Sequence, residues 1–396
     1  MIPYKKYIPE FFEDKKYSIN SKEINSKSIF IAVKGKRTDG HFYVKEAFKK
    51  GCKLAIVKKN YKISKTINKD KFIKVYSPLR FLENVASKKR NKSNNIFIGI
   101  TGSFGKTTLK FMLSFILKKF NKTYSSPKSF NNHFGLPLSL SNLPKKNFYN
   151  VFELGMSRKG EINKIAKILN PNIGIITNIG PAHLKNLKSL KNIALAKSEI
   201  ITNIKKNGVI FLNIDNKYSN FLIKKAKKRK LKIVTFGKSF NAQYQFINTD
   251  TDKKRKYVFF RLKRKNYKFL VKNLNDSFIM NLLICIAVID YLKLNIKKIN
   301  NFIKKFSIPD GRGKILYKQI NNEKIKIIDE SFNANPISMK NAIFNFSSYK
   351  SRNLKKTAII GDMLELGTMS KKYHKILASE INKSDIDIAH LVGKEV

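Results

Sequence analysis

Residues 99–108 read GITGSFGKTT, and their types and spacing suit one kind of chemistry, the binding of phosphate. A glycine-rich turn that opens a helix aims backbone N–H groups and the positive helix end at an anion. Gly102, Ser103, Gly105 and Thr108 would form that cradle. Lys106 would reach the outer phosphates and the Thr107 hydroxyl would ligate Mg²⁺. The spacing departs from the common GxxxxGK[ST] form, since position 100 is Ile and the first turn glycine is Gly102. A GKT triplet also arises by chance in a lysine-rich chain. The surrounding elements favour a nucleotide site over an ordinary turn: an apolar strand pattern precedes the turn and an apolar-periodic helix pattern over 107–118 follows it.

Four more segments place reactive side chains at the ends of expected strands, where open α/β sheets hold ligands. Glu153 closes the strand after the phosphate loop and could share a Mg²⁺ with nucleotide phosphates. His183, in NIGPAHL, follows a strand and a Gly-Pro turn, which favours a functional loop edge over a core position. Lys197, in AKSEI, reads on its own residues as one more solvated helix lysine. Asp329 ends a strand in DESFNANP, where Asn333, Asn335 and then Ser338 crowd a helix start. An Asn-Pro pair alone is a helix-start turn, but so many polar groups at a strand end favour ligand contact.

The elements around these residues define an α/β protein. Strands are predicted over 29–33 and 54–57, with a helix over 44–50 between them and a polar linker, KKRNKSNN, over 88–95. Strands over 96–100, 151–154, 173–177, 209–212 and 233–236 alternate with helices over 107–118, 161–169, 190–204 and 217–227. Such alternation marks a parallel sheet covered on both faces. Residues 242–273 read as an antiparallel addition, and 277–292 as an apolar helix packing back on the sheet. After FSIPDGRG (306–313), βα alternation resumes through 325–329, 338–346, 357–360, 370–381 and 388–392. The expected domains are 1–88, 89–308 and 309–396.

Composition narrows the function classes. The formal net charge of +56, from 82 Lys and Arg against 26 Asp and Glu, first suggests a polyanion partner. The lysines are spread along the whole chain, without clusters interleaved with aromatics, so a specific nucleic-acid function is not expected. No run approaches the ~18 apolar residues of a membrane helix, and the N-terminal MIPYKKYIPEFF lacks a signal-peptide core. Cys52 and Cys285 lie in apolar-periodic contexts and are expected to be buried free thiols in a reducing cytoplasm.

Taken together, the segments KGKRTDGH (34–41), GITGSFGKTT, SFNNHFGLPLSL (129–140), ELGMSRKGEI (153–162), NIGPAHL, AKSEI, DGRG (310–313), DESFNANPISM and GDMLELG (361–367) resemble the Mur ligase family over essentially the whole chain. Within it, NANP and GDMLELG are similar to the branch that adds D-alanyl-D-alanine. The resemblance implies three domains: one for the UDP moiety, a central parallel-sheet P-loop ATPase domain, and a C-terminal Rossmann-like domain. The last is expected to be incomplete against the family, whose pattern continues past Val392-Gly393. It implies a cytoplasmic, ATP- and Mg²⁺-dependent amide ligase of peptidoglycan precursor synthesis, acting as a monomer. Its substrates would be UDP-N-acetylmuramoyl-tripeptide and D-alanyl-D-alanine, joined through an acyl phosphate.

Carried over residue by residue, the resemblance makes Lys106, His183, Lys197 and Arg312 catalytic, and puts Asn281, Arg312 and Asp329 with the phosphate-loop residues at ATP. It gives Thr107, Glu153, His183 and a carbamylated Lys197 to metal. It gives Asp39, Gly40, His41, Asn131, Asn132, Asn333, Asn335 and Ser338 to substrate. Asn20-Ser21-Lys22 stands where the family has Asp-Ser-Arg, and Ser277 where it has His. The competing readings are a sister ligase adding diaminopimelate or lysine, a folylpolyglutamate synthase, and a non-catalytic basic binding protein. The DGH segment and NANP argue against the first two, and the diffuse charge against the third.

Overall fold

The computed structural model describes residues 15–396 apart from 254, 322 and 350–353; the N-terminal segment 1–12 discussed above lies outside the described residues. Four parallel strands open the chain: β1 (Lys16–Ser18), β2 (Ser28–Ile31), β3 (Leu54–Lys58) and β4 (Phe72–Val75), in that spatial order. Helix α1 (Val44–Lys49) crosses from β2 to β3, and α2 (Pro78–Asn91) covers the sheet with Phe81, Leu82 and Val85. The polar linker expected from residue 88 is therefore helical through Asn91. Its third residue, Arg90, is buried: its guanidinium donates to the carbonyls of Leu169 (2.6 Å), Asn170 (2.6 Å) and Ser93 (3.1 Å) and stacks on Phe97. A charged sequence hid an inward-facing arginine, because two of its three acceptor carbonyls lie about 80 residues away.

The central sheet has nine strands. They are β5 (Ile96–Thr101), β6 (Thr123–Ser125), β7 (Tyr149–Glu153), β8 (Ile173–Ile176), β9 (Val209–Asn213), β10 (Lys232–Gly237), β11 (Tyr244–Asp252), β12 (Arg255–Leu262) and β13 (Lys265–Val271). Their order is β13-β12-β11-β10-β9-β8-β5-β7-β6, parallel from β6 to β11 and antiparallel across β11, β12 and β13. The chain leaves β5 first towards β7 and then towards β8, so the carboxyl end of β5 is the topological switch point where such sheets open a ligand crevice. β5 is IFIGIT, buried from Phe97 to Thr101, as a strand covered on both faces must be.

One face carries α3 (Lys106–Leu117), with Leu109, Met112, Leu113 and Ile116 inward. The other carries α4 (Gly135–Ser141), α5 (Glu161–Leu169), α6 (Leu184–Leu187), α7 (Leu190–Lys197), α8 (Glu199–Thr202) and α9 (Ser219–Lys228). The single helix expected over 190–204 is broken at Ser198. Helix α10 (Asp276–Tyr291) is apolar on all sides and buried against α3 and the sheet, as an all-round hydrophobic helix requires. The short α11 (Ile299–Ile303) follows. Cys52 and Cys285 are buried free thiols.

Beyond Gly313, the expected βα alternation starts differently. Strand β15 (Glu323–Asp329) does not join a parallel sheet; it forms an antiparallel hairpin with β14 (Lys314–Ile320). The hairpin is poorly covered: Ile325 and Ile327 are exposed, and Lys326 and Ile328 on the opposite face are half-buried. Alternation then holds: α12 (Pro336–Ser347), β16 (Thr357–Gly361), α13 (Ser370–Asn382) and β17 (Ile388–Val392), with β16 and β17 parallel. Ile343, Ile360, Met363, Leu366 and Leu377 join the same apolar cluster as Leu184 and Leu187, which docks this unit on the central one.

Candidate active site

The phosphate loop runs from the end of β5 into α3. Gly105 adopts a left-handed conformation (φ 79°) at the position before the helix, and a Cβ at Gly102 would run into Thr177 Oγ1. Both glycines are therefore required by the turn. The loop is braced from β8: Asn178 Oδ1 accepts from the N–H groups of Ser103 and Phe104 (3.0 Å each), its Nδ2 donates to Phe104 O (3.1 Å), and Thr177 Oγ1 donates to the same carbonyl (2.8 Å). Ser103 Oγ donates to Gly180 O at 2.8 Å. Asn178 opens NIGPAHL and Thr177 ends the strand before it, and the sequence assigns neither a role. Their signal was an amide and a hydroxyl directly after a buried strand.

A cavity of about 310 Å³ opens over this loop, between the central sheet and the C-terminal unit. Ser103, Gly105, Lys106, Thr107 and Thr108 line its floor, with Glu153, His183 and Lys197 beside them. Arg312 reaches in from the DGRG turn, and Asn131, Asn132, Asn333, Asn335 and Ser338 line the walls. The structure thus gathers most of the sequence-predicted residues at one place. It also adds Asn273, Asn275, Glu330, Asn341 and Asn345, which the sequence reading did not single out.

Thr107 Oγ1 donates to Glu153 Oε2 at 2.7 Å, and Asn131 Nδ2 donates to Glu153 Oε1 at 2.8 Å. A hydroxyl and a carboxylate held side by side at a phosphate loop fit Mg²⁺, which takes few protein oxygens and completes its shell with phosphate and water. Among the described residues no cluster of three or more His, Cys, Asp or Glu could hold a metal without such help.

Lys106 is the first residue of α3, half-buried, with Nζ donating to Gly102 O at 2.9 Å. Lys197 is not solvated: it is 2% exposed at the end of α7, and its Nζ donates to Gly102 O at 2.8 Å. Burial, reinforced by the Lys106 charge, holds the Lys197 amine well below the usual lysine range. Burial likewise lowers the Arg312 guanidinium, with Glu153 and Glu330 opposing; Arg312 also stacks on Phe332 at 3.9 Å.

His183 lies in the left-handed region (φ 56°), and its Nδ1 lies against a carboxylate oxygen of Glu365 of the GDMLELG segment. Asp329 lies just outside the cavity wall and braces the DGRG turn, accepting from Gly311 N (2.9 Å), Ser331 N (3.1 Å) and Ser331 Oγ (2.6 Å). Asn335 and Ser338 form a reciprocal capping box at the start of α12. Asn132 caps α4 through Phe134 N and Gly135 N. Asn281, 3% exposed, donates to Gly105 O at 3.4 Å from behind the loop. Asp39, Gly40 and His41 do not line this cavity. Asp39 caps a short 3₁₀ turn, while its carboxylate meets His41 Nδ1 at 2.6 Å and His41 Nε2 accepts from Lys58 N at 2.9 Å.

Residues 15–93 match the family described as "Mur ligase family, catalytic domain", and residues 100–289 match "Mur ligase middle domain". A UDP-N-acetylmuramoyl-tripeptide–D-alanyl-D-alanine ligase of Rickettsia prowazekii (strain Madrid E) is 35% identical over 94% of this chain and 81% of its own length. The chain belongs to the Mur ligase family. Its three-part α/β architecture is that of solved ligases of this branch. The MurF crystal structure from Acinetobacter baumannii superposes with a TM-score of 0.84 at 27% identity, covering 96% of this Mur ligase and 80% of that chain. MurF from Thermotoga maritima in complex with ADP superposes at 0.81 and 26%, covering 97% and 85%. Among the described residues of this Mur ligase, no helix is long and apolar enough to cross a membrane.

Proposed function

We propose that this Mur ligase joins D-alanyl-D-alanine to UDP-N-acetylmuramoyl-tripeptide with ATP, in the cytoplasm, as a step of peptidoglycan precursor synthesis. The observation that carries the reading is one cavity combining a phosphate loop, a hydroxyl–carboxylate pair suited to Mg²⁺, and a wall of carboxamides from the NANP segment. The related ligases of this branch support the choice of substrates. The units 1–88, 89–308 and 309–396 divide the work into uridine, nucleotide and closing domains.

The first step brings two anions together: the tripeptide carboxylate attacks the γ-phosphorus of ATP, and ADP leaves. Lys106, on the first turn of α3, neutralises the transferring phosphoryl group together with the N–H groups of the loop. Arg312 adds a second cation from the C-terminal unit. Thr107 and Glu153 would hold Mg²⁺, which supplies further charge neutralisation at the phosphates. His183 and a carbamylated Lys197 would hold a second ion. Asn281 lies on the adenine side, while Asp329 keeps Arg312 in reach by bracing its turn. Asn131 and Asn132 face the muropeptide, and Asp39, Gly40 and His41 serve the uridine end. In the second step, the amine of the dipeptide attacks the acyl phosphate carbon and phosphate leaves. Asn333, Asn335 and Ser338, which line the cavity, would meet that amine.

The test is phosphate release with UDP-muramoyl-tripeptide plus D-alanyl-D-alanine, against UDP-muramoyl-dipeptide plus diaminopimelate or lysine. Turnover with the first pair alone is expected. Turnover only with a dipeptide acceptor and a single amino acid would move the chain to the sister ligase.

A further inference from the structure

The GDMLELG segment leaves β16 and presses on the turn that carries His183. Met363 and Leu366, each 2% exposed, join the apolar cluster of Leu184 and Leu187. Lys185 N donates to Glu365 O at 2.8 Å, and a Cβ at Gly367 would stand 2.9 Å from Lys185 Cα. From behind, His374 Nε2 accepts from Met363 N at 3.1 Å, and His374 Nδ1 meets Ser370 O at 2.9 Å. Glu365 itself is left-handed (φ 66°), a conformation uncommon in residues with a side chain. Such backbone persists where its surroundings over-determine it, and it clusters at functional sites.

These contacts aim two side chains from different units at each other. A carboxylate oxygen of Glu365 lies against His183 Nδ1, and that nitrogen is buried. An oxygen and a ring nitrogen in contact must have a proton between them, because two facing lone pairs repel. The proton of the neutral imidazole is therefore on Nδ1. Nε2 is then the lone-pair nitrogen, and the one left to meet a ligand in the cavity that His183 lines. A histidine that binds a metal ion through one nitrogen commonly gives its other N–H to a carboxylate, which fixes both tautomer and ring orientation. The neutral form is the one that a divalent ion, or a water in its shell, can use.

We propose that Glu365 is a positioning residue that holds His183 as its Nδ1–H tautomer, so that Nε2 presents a lone pair to the divalent ion. Glu365 belongs to the C-terminal unit and His183 to the central one, so this part of the site is complete only while GDMLELG is docked. The proposal rests on the reading above that His183 serves a metal ion.

The experiment takes two readouts on wild type, Glu365→Asn, Glu365→Gln and His183→Gly. Asparagine tolerates the left-handed backbone but is too short to reach the ring, whereas glutamine keeps an acceptor in reach. Glycine accepts the backbone of position 183 without a side chain. The first readout is ¹⁵N NMR of the His183 ring in metal-free protein. Wild type and Glu365→Gln should carry the proton on Nδ1 with Nε2 unprotonated, and Glu365→Asn should lose that preference. The second is the Mg²⁺ concentration for half-maximal phosphate release. Glu365→Asn should raise it about tenfold, the scale of losing the partner of a metal-binding histidine. Glu365→Gln should stay near wild type, and KM for D-alanyl-D-alanine should stay within about twofold in both. Added to His183→Gly, Glu365→Asn should change nothing further. A wild-type ring protonated on Nε2, or on both nitrogens, overturns the proposal, as does a Glu365→Asn effect that persists in His183→Gly. If His183→Gly leaves the Mg²⁺ requirement unchanged, the metal reading of His183 falls, and the proposal with it. If His183→Gly raises the requirement and Glu365→Asn does not, only the role of Glu365 falls.

Discussion

Lys106 and Lys197 donate to the same acceptor, the carbonyl oxygen of Gly102, at 2.9 and 2.8 Å. Burial lowers both amines, and the more buried member, Lys197, which also feels the Lys106 charge, is held well below the usual lysine range. A neutral buried amine is a nucleophile.

Lys197 is accordingly predicted to carry a carbamate in the active protein. Its nitrogen attacks the carbon of CO₂, forms the N–C bond and releases a proton, leaving an anion beside Lys106. With ¹³C-bicarbonate, one carbamate resonance should appear and be absent from Lys197→Ala. That variant should lose nearly all phosphate release and regain part of it with small carboxylates. Activity indifferent to both the substitution and added bicarbonate would sink the idea.

Lys106→Ala should lower phosphate release by about 10²–10³-fold, the scale of losing one preorganised charge donor at a developing anion. Alanine is a good helix former at the first position of α3, so the urea midpoint should move little. Near-normal phosphate release would show that the loop does not bind ATP in this way.

Asn178→Ala removes the brace on two loop amides and on Phe104 O. Losing hydrogen bonds worth about 1 kcal/mol each should raise KM for ATP by about tenfold or more. KM for the amine substrate should stay within twofold. A change confined to the amine constant would contradict the bracing role.

Lys110 provides a pH-dependent prediction. It is fully buried on α3, with Nζ donating to Ser126 O (2.7 Å) and Lys128 O, and burial lowers its pKa from 10.5 to about 8. Between about pH 8 and 10.5 the unfolded chain binds the proton that the folded chain has released, so this group's contribution to stability rises with pH across that window. Below about pH 8 the proton is bound in both states and the full burial penalty remains. Urea unfolding of wild type and Lys110→Met at pH 7.5 and 10 should show wild type gaining relative to the variant. A constant difference would mean that Lys110 keeps its ordinary pKa.

The phosphate loop was legible because strand, turn and helix are adjacent in the chain and each has a local signal. Glu153 and His183 were legible for a similar reason, each closing or following a recognisable strand or turn, and both line the cavity; Arg312, which lines it too, was named only through the family resemblance. What stayed hidden is tertiary. Lys197 looks like any other lysine until the break at Ser198 ends its helix inside the protein. Arg90 sits in a charged run, yet its partners belong to the end of α5. β6 has three residues, too few for a period to show. The β14–β15 pairing depends on a strand whose KILYKQI sequence has no strict alternation. Asn341 and Asn345 read as ordinary helix polarity until α12 is docked against the loop.

The contrast between α10 and the β14–β15 hairpin has a dynamic consequence. Most of α10 is buried, from Phe278 to Ile289, whereas β15 is largely exposed and β17 almost entirely so. Opening free energies follow burial, so amide protons of β5, α3 and α10 should be the last to exchange with deuterated solvent, and those of β14, β15 and β17 among the first. The cavity therefore straddles two levels of local stability. Its phosphate side is built on the most persistent part of the molecule, while the arm bearing Arg312 hangs from a hairpin that can loosen without disturbing the nine-stranded sheet.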